Sequence, residues 1–135
     1  MKKWRSINGL FSKLSMALLC LAVSSVCMAG VTDIPQFELM RRIKAKHENL
    51  ILDVRSPEEY AEGHIPGAVN IPYDRLGFRL AEIGTHKNKD IVLYCGSGVR
   101  VVIAANILQA AGFNKLLHLV GDMDGWRSNG LAVKK

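Results

Sequence analysis

At 135 residues the chain has room for one domain, and an apolar content of 49% is enough to supply a single core. The formal net charge of +6 invites a polyanion as partner, but four of the 18 Lys and Arg and none of the 12 acids lie in residues 1–29. The rest of the chain carries 14 basic against 12 acidic side chains, a balance of +2, which excludes a nucleic-acid footprint.

Residues 1–29 have the layout of a secretory leader. Lys2, Lys3, Arg5 and Lys13 make a basic start, residues 14–26 are largely apolar, and Cys27-Met28-Ala29 ends in small side chains suited to cleavage after Ala29. The expected mature domain is 30–135, exported and periplasmic. The apolar run falls short of the roughly 20 residues of a membrane span, so no stable membrane insertion is expected once the leader is removed. Cys20 and Cys27 would leave with the leader, so Cys95 is the sole thiol of the mature chain and has no partner for an internal disulfide. A lone thiol in an oxidising compartment is a hazard unless its reactivity is used.

In the mature chain, Thr32 or Asp33 followed by Pro35 resembles a helix start, with Phe37, Met40 and Ile43 as the apolar stripe of an amphipathic helix. Residues 50–54 form a continuous apolar run suited to a buried parallel strand. A short helix begins at Ser56 or Pro57 and stops at Gly63; a turn-rich segment and a brief strand at 69–71 follow. Leu76, Leu80 and Ile83 predict a helix over 75–83, then a polar loop over 84–89. Residues 90–94 are a third strand, about 100–111 a helix apolar on most of its circumference, and 115–120 a fourth strand. A short helix bearing Trp126 and an apolar patch at 131–133 complete the chain. Strands alternating with helices imply an α/β fold: a parallel sheet covered on both faces, with ligands at the carboxyl ends of its strands.

Cys95 stands at such an end, in the turn Cys95-Gly96-Ser97-Gly98-Val99-Arg100 that opens directly into a helix. Unpaired N–H groups and the helix dipole gather positive potential there and favour a thiolate or a bound anion. Gly96 and Gly98 permit the close backbone approach of such a cradle, while Ser97 is either a turn filler or a hydrogen-bond donor. Arg100, in the first helical turn, can present its guanidinium fork to an oxyanion. Asp53 and Arg55 are placed to pair with each other near the site. His47, His64, His86 and His118 are not grouped at ligand spacing, so neither a metal nor another cofactor is expected; His64 reads as a turn residue and Trp126 as core.

Three segments resemble the signatures of the rhodanese family, in the same order. They are residues 53–72 (Asp-Val-Arg-Ser-Pro-Glu-Glu-Tyr, then Gly-His-Ile-Pro-Gly-Ala-Val-Asn-Ile-Pro), the cysteine loop from Cys95 to Arg100, and residues 121–133. The last segment has Asp122 where the family more commonly has a second glycine. The resemblance implies a rhodanese-like parallel sheet of about five strands flanked by helices. It implies a thiosulfate sulfurtransferase in which Cys95 takes the outer sulfur of thiosulfate or a related donor as a persulfide. Cyanide, a small thiol or an exported thiol protein would be the acceptor. Residues 95–99 also resemble the loop of mercaptopyruvate sulfurtransferases, but Arg100 favours the thiosulfate type. Alternatives are a persulfide carrier serving a protein partner and, more remotely, a cysteine phosphatase or arsenate reductase. Four residues separate Cys95 from Arg100, one fewer than in the phosphatase loop, and the smaller ring suits one sulfur better than a tetrahedral phosphate.

Overall fold

A computed structural model describes residues 30–135; the expected leader lies outside them. Five parallel strands, β1 (Val31–Ile34), β2 (Leu50–Asp53), β3 (Val69–Asn70), β4 (Ile91–Tyr94) and β5 (Leu116–Leu119), form one sheet in the order β1-β5-β4-β2-β3. Helices α1 (Gln36–Lys44), α2 (Pro57–Glu62), α3 (Val99–Ala110) and α4 (Asp122–Ser128) connect and cover them. This is the expected α/β architecture.

β2 and β4 are apolar on both faces because both faces are covered. Leu50, Leu52, Ile91, Leu93 and, one residue beyond the strand, Cys95 point to the side packed by α3, where Val101, Ala104, Ala105 and Leu108 are buried. Ile51, Val92 and Tyr94 point to the other side, against Leu39 of α1, Ile65, Met123 and Trp126. The period-two alternation of β4 thus decides that the Cys95 side chain faces α3.

Four local expectations are corrected. Thr32 and Asp33 do not begin a helix: they lie in β1, an edge strand paired with β5 in which only Ile34 is buried. Propensity read a cap where sheet pairing wins. α1 instead starts after Pro35 with no side-chain cap, and its inward residue is Leu39, whereas Phe37 is 71% exposed and Met40 44%. The helix expected over 75–83 is two 3₁₀ turns, Leu76–Phe78 and Leu80–His86, which take up part of the expected loop and bury Leu76 and Ile83. Finally, α3 is less fully covered than its composition suggests, since Val99 and Ile103 are exposed.

The 63–68 turn is held by its own contacts and by the chain end. His64 stacks on Tyr60 at 3.7 Å between ring centroids and pairs with Lys134 in an isolated antiparallel bridge. Trp126 is buried and donates its indole N–H to the Ala132 carbonyl at 2.9 Å.

Leu93 is fully buried at the centre of the sheet and Phe78 is 89% exposed. Leu93→Ala is therefore expected to cost about 2–5 kcal/mol in urea unfolding, and Phe78→Ala no more than about 0.5 kcal/mol.

Candidate functional site

The carboxyl ends of β2, β4 and β5 converge on one loop. β4 delivers Cys95, whose backbone is fastened on both sides to the start of α4. The Cys95 N–H donates to the Asp122 carboxylate at 2.8 Å; the carbonyls of Cys95 and Gly96 accept from the N–H groups of Met123 at 3.0 Å and Asp124 at 3.1 Å. Met123 and Asp124 thus spend N–H groups that a helix start leaves unpaired. The chain then turns back so that Gly98 donates its N–H to the Cys95 sulfur at 3.0 Å. Gly98 does this at φ +106°, and a Cβ on it would lie 3.1 Å from an Asp122 carboxylate oxygen, so both backbone freedom and the absence of a side chain are required. The sulfur faces inward, with Cys95 only 1% exposed. Ser97 and Val99 flank Gly98, and Val99 opens α3 at 72% exposure.

Arg100 reaches back over this loop: a Cβ on Gly96 would lie 3.3 Å from its guanidinium. The guanidinium is not free. It makes a two-pronged ion pair with Glu59 at 2.6 and 2.9 Å. Glu59 also closes a capping box on α2, accepting the Ser56 N–H at 3.0 Å while Ser56 accepts the Glu59 N–H. One carboxylate therefore fixes both the helix after β2 and the cation after β4. The Arg100 hydrogen bonds hold the Glu59 carboxyl at about 2, against a desolvation that pushes the other way. Sequence reading missed Glu59, although the spacing Ser56-Pro57-Glu58-Glu59 is a visible capping-box signal. Beside Arg100 opens a cleft of about 350 Å³ lined by Ser56, Pro57, Pro72, Tyr73, Asp74 and Arg75 among others.

Asp53 and Arg55 do pair, with both carboxylate oxygens engaged and a shortest contact of 2.6 Å. They lie away from the sulfur. Asp53 is in register with Tyr94, whose side chain belongs to the opposite face from Cys95, and Arg55 sits 5.6 Å over the Tyr94 ring. Arg55 also donates to the Gly63 carbonyl at 2.9 Å, tying β2 to the 63–68 turn. Burial and the Asp53 charge push the Tyr94 phenol far above its ordinary range, so it stays protonated.

His118, passed over in the sequence, lies behind the loop on β5, in register with Leu93. Its Nε2 is 2.9 Å from Asp122 and its Nδ1 3.5 Å from Asp33. The Asp122 hydrogen bond raises its pKa above the usual imidazole value. Among the described residues no group of three or more His, Cys, Asp or Glu side chains could hold a metal ion, and no helix is long and apolar enough to cross a membrane.

The model of the rhodanese-like domain matches residues 36–129, spanning the first signature segment, the cysteine loop and the first nine residues of the third segment. The chain belongs to the rhodanese family. A sulfurtransferase of Allochromatium vinosum is 34% identical over 103 residues, covering 76% of this chain and 94% of its own. The thiosulfate:glutathione sulfurtransferase of Saccharomyces cerevisiae is 37% identical, covering 70% and 77% respectively. Among solved structures, a rhodanese-related protein of Thermoplasma volcanium superposes with a TM-score of 0.66 at 28% identity, covering 76% of this chain and 97% of its own. This rhodanese is a sulfurtransferase.

The Arg100 fork holds the Glu59 carboxyl at about 2, below its ordinary 4.5, so the stability it contributes is present above about pH 4.5 and is lost as pH falls through about 2. Because the Glu59 side chain is 38% exposed, Glu59→Gln is expected to cost no more than about 1 kcal/mol at pH 7. The difference from wild type in urea midpoint should shrink as pH falls from 4.5 toward 2.

Proposed function

We propose that the chain is an exported thiosulfate-type sulfurtransferase that carries sulfane sulfur on Cys95. The observation that carries this reading is the Cys95 sulfur seated on the Gly98 N–H at 3.0 Å, inside a four-residue ring closed by Arg100. In the proposed reaction the Cys95 thiolate attacks the outer sulfur of thiosulfate. A sulfur–sulfur bond forms to Cys95 while the one in thiosulfate breaks, and sulfite leaves with the bonding pair. Cyanide or a thiolate then attacks the outer persulfide sulfur, and Cys95 returns as thiolate.

The loop's residues have separable roles in this scheme. The Gly98 N–H solvates negative sulfur, and Gly96, Ser97 and Val99 shape the ring around it. Arg100 faces the sulfonate of the donor and the departing sulfite. Its fork is already occupied by Glu59, which pre-orients the guanidinium and leaves part of its field for the donor. The yeast relative's name pairs a thiosulfate donor with a thiol acceptor and supports this choice over mercaptopyruvate. Asp53 and Arg55 support the 63–68 turn and take no part in the transfer. Export rests on the basic and apolar pattern of residues 1–29.

A second reading, a sulfur carrier that loads but does not turn over, is supported by a Bacillus subtilis relative named a putative sulfur carrier protein, 35% identical over 100 residues. Both readings are tested by incubating the protein with thiosulfate, following intact mass, and then adding cyanide. Gain of one sulfur atom in wild type, none in Cys95→Ser, and thiocyanate release are expected. A sulfur adduct without release would favour the carrier; no adduct, or an equal adduct in Cys95→Ser, contradicts both. Arg100→Ala is expected to raise the thiosulfate KM about tenfold, the loss of one charge-assisted contact.

A further inference from the structure

Asp122 is the residue by which this chain departs from its signature, and it is an uncomfortable one. Its backbone takes φ +51°, a left-handed conformation that glycine adopts freely and a residue with a Cβ adopts at a cost. It is also 2% exposed. Its two carboxylate oxygens divide between the loop and the sheet. One accepts the Cys95 N–H at 2.8 Å; the other lies 2.9 Å from Nε2 of His118. The second oxygen and the His118 ring also pack under Gly98, where a Cβ would meet them at 3.1 and 3.7 Å. The pair therefore touches both backbone groups that set the sulfur's position, the N–H of Cys95 and the residue whose N–H holds Sγ.

The charges around His118 make this contact state-dependent. Both ring nitrogens face carboxylates, Asp122 from the start of α4 and Asp33 from β1, and among the described residues these two supply the charges that act on it. Only the doubly protonated ring can donate to both. Protonated, His118 offsets the negative charge of Asp122. Neutral, it leaves that charge bare beside a site meant to hold anionic sulfur.

We propose that Asp122 and His118 form a positioning pair for Cys95, in which protonation of His118 cancels the Asp122 charge and so favours an anionic sulfur in the loop. This deepens the sulfur-transfer reading and rests on Cys95 being the reacting group, but it concerns the tuning of the thiol before any donor arrives. Neither residue meets the sulfur directly. Asp122 acts through backbone, and His118 through Asp122.

The test is the rate of iodoacetamide addition to Cys95, read by peptide mass across pH 5.5–9 on the full chain, so that Cys20 and Cys27 do not interfere. The quantity of interest is the ratio of wild-type to His118→Gln rates, in which access to the buried sulfur cancels. Below the His118 titration the ratio should be about three- to tenfold, and above it the ratio should fall to one, because neutral His118 no longer differs from Gln. In an Asp122→Asn background the fall should move to lower pH, since the amide supplies no charge to hold the second proton. A merely structural pair would slow addition equally at every pH. A flat ratio, or a fall that Asp122→Asn leaves in place, overturns the proposal. Alkylation uses no sulfur donor, so a chain that shows this profile yet gains no sulfur from thiosulfate would contradict the proposed function and leave the pair standing.

Discussion

Three hydrogen bonds between the first turn of α4 and the backbone of Cys95 and Gly96 are the constraint on which the site depends. A cysteine at the end of a buried strand has its own N–H and C=O still to satisfy, and the pairing of β4 with β5 ends at Leu93 and His118, before it reaches them. Asp122, Met123 and Asp124 supply the missing partners at 2.8 to 3.1 Å. With the peptide groups of Cys95 fixed, the turn through Gly98 brings one N–H to the sulfur, and α3 can start. Without that clamp the loop would be a flexible link between a strand and a helix, and the position of the sulfur would be lost to backbone entropy.

The electrostatics follow from the same geometry. Each charged group at the loop is matched by one on a neighbouring element: Arg100 by Glu59 from α2, and Asp122 by His118 from β5. With His118 protonated, the site is therefore close to balanced before any ligand arrives. Positive potential from backbone N–H groups and from the exposed part of Arg100 is what remains to favour an anion. The Asp53–Arg55 pair works elsewhere, under the 63–68 turn, and shows that a charged pair at the end of a strand beside the site can stand on the far face of the sheet.

The sheet was legible because its central strands are almost pure apolar runs, and a strand covered on both faces can be little else. Cys95 was legible because its glycine-flanked turn lies between such a run and a helix. What escaped was set by partners distant in sequence. Thr32 and Asp33 have cap chemistry, and only pairing of β1 with β5 makes them strand. The stripe of α1 was misjudged because Phe37 and Met40 are as apolar as Leu39, and the packing direction is decided by the sheet beneath. His118 and Glu59 lie 23 and 36 residues from Cys95 in the chain, and no local period joins them to it. Asp122 was visible as a departure from the signature, but its bond to Cys95 exists only in the fold.

The central claim is that sulfur moves onto Cys95 from the outer position of thiosulfate. Thiosulfate carrying isotopic sulfur in either its outer or its inner position tests this directly, with the label located by peptide mass. The account predicts label on Cys95 from the outer position alone. Label from the inner position, label on Cys20 or Cys27 instead, or no label on any cysteine would contradict it.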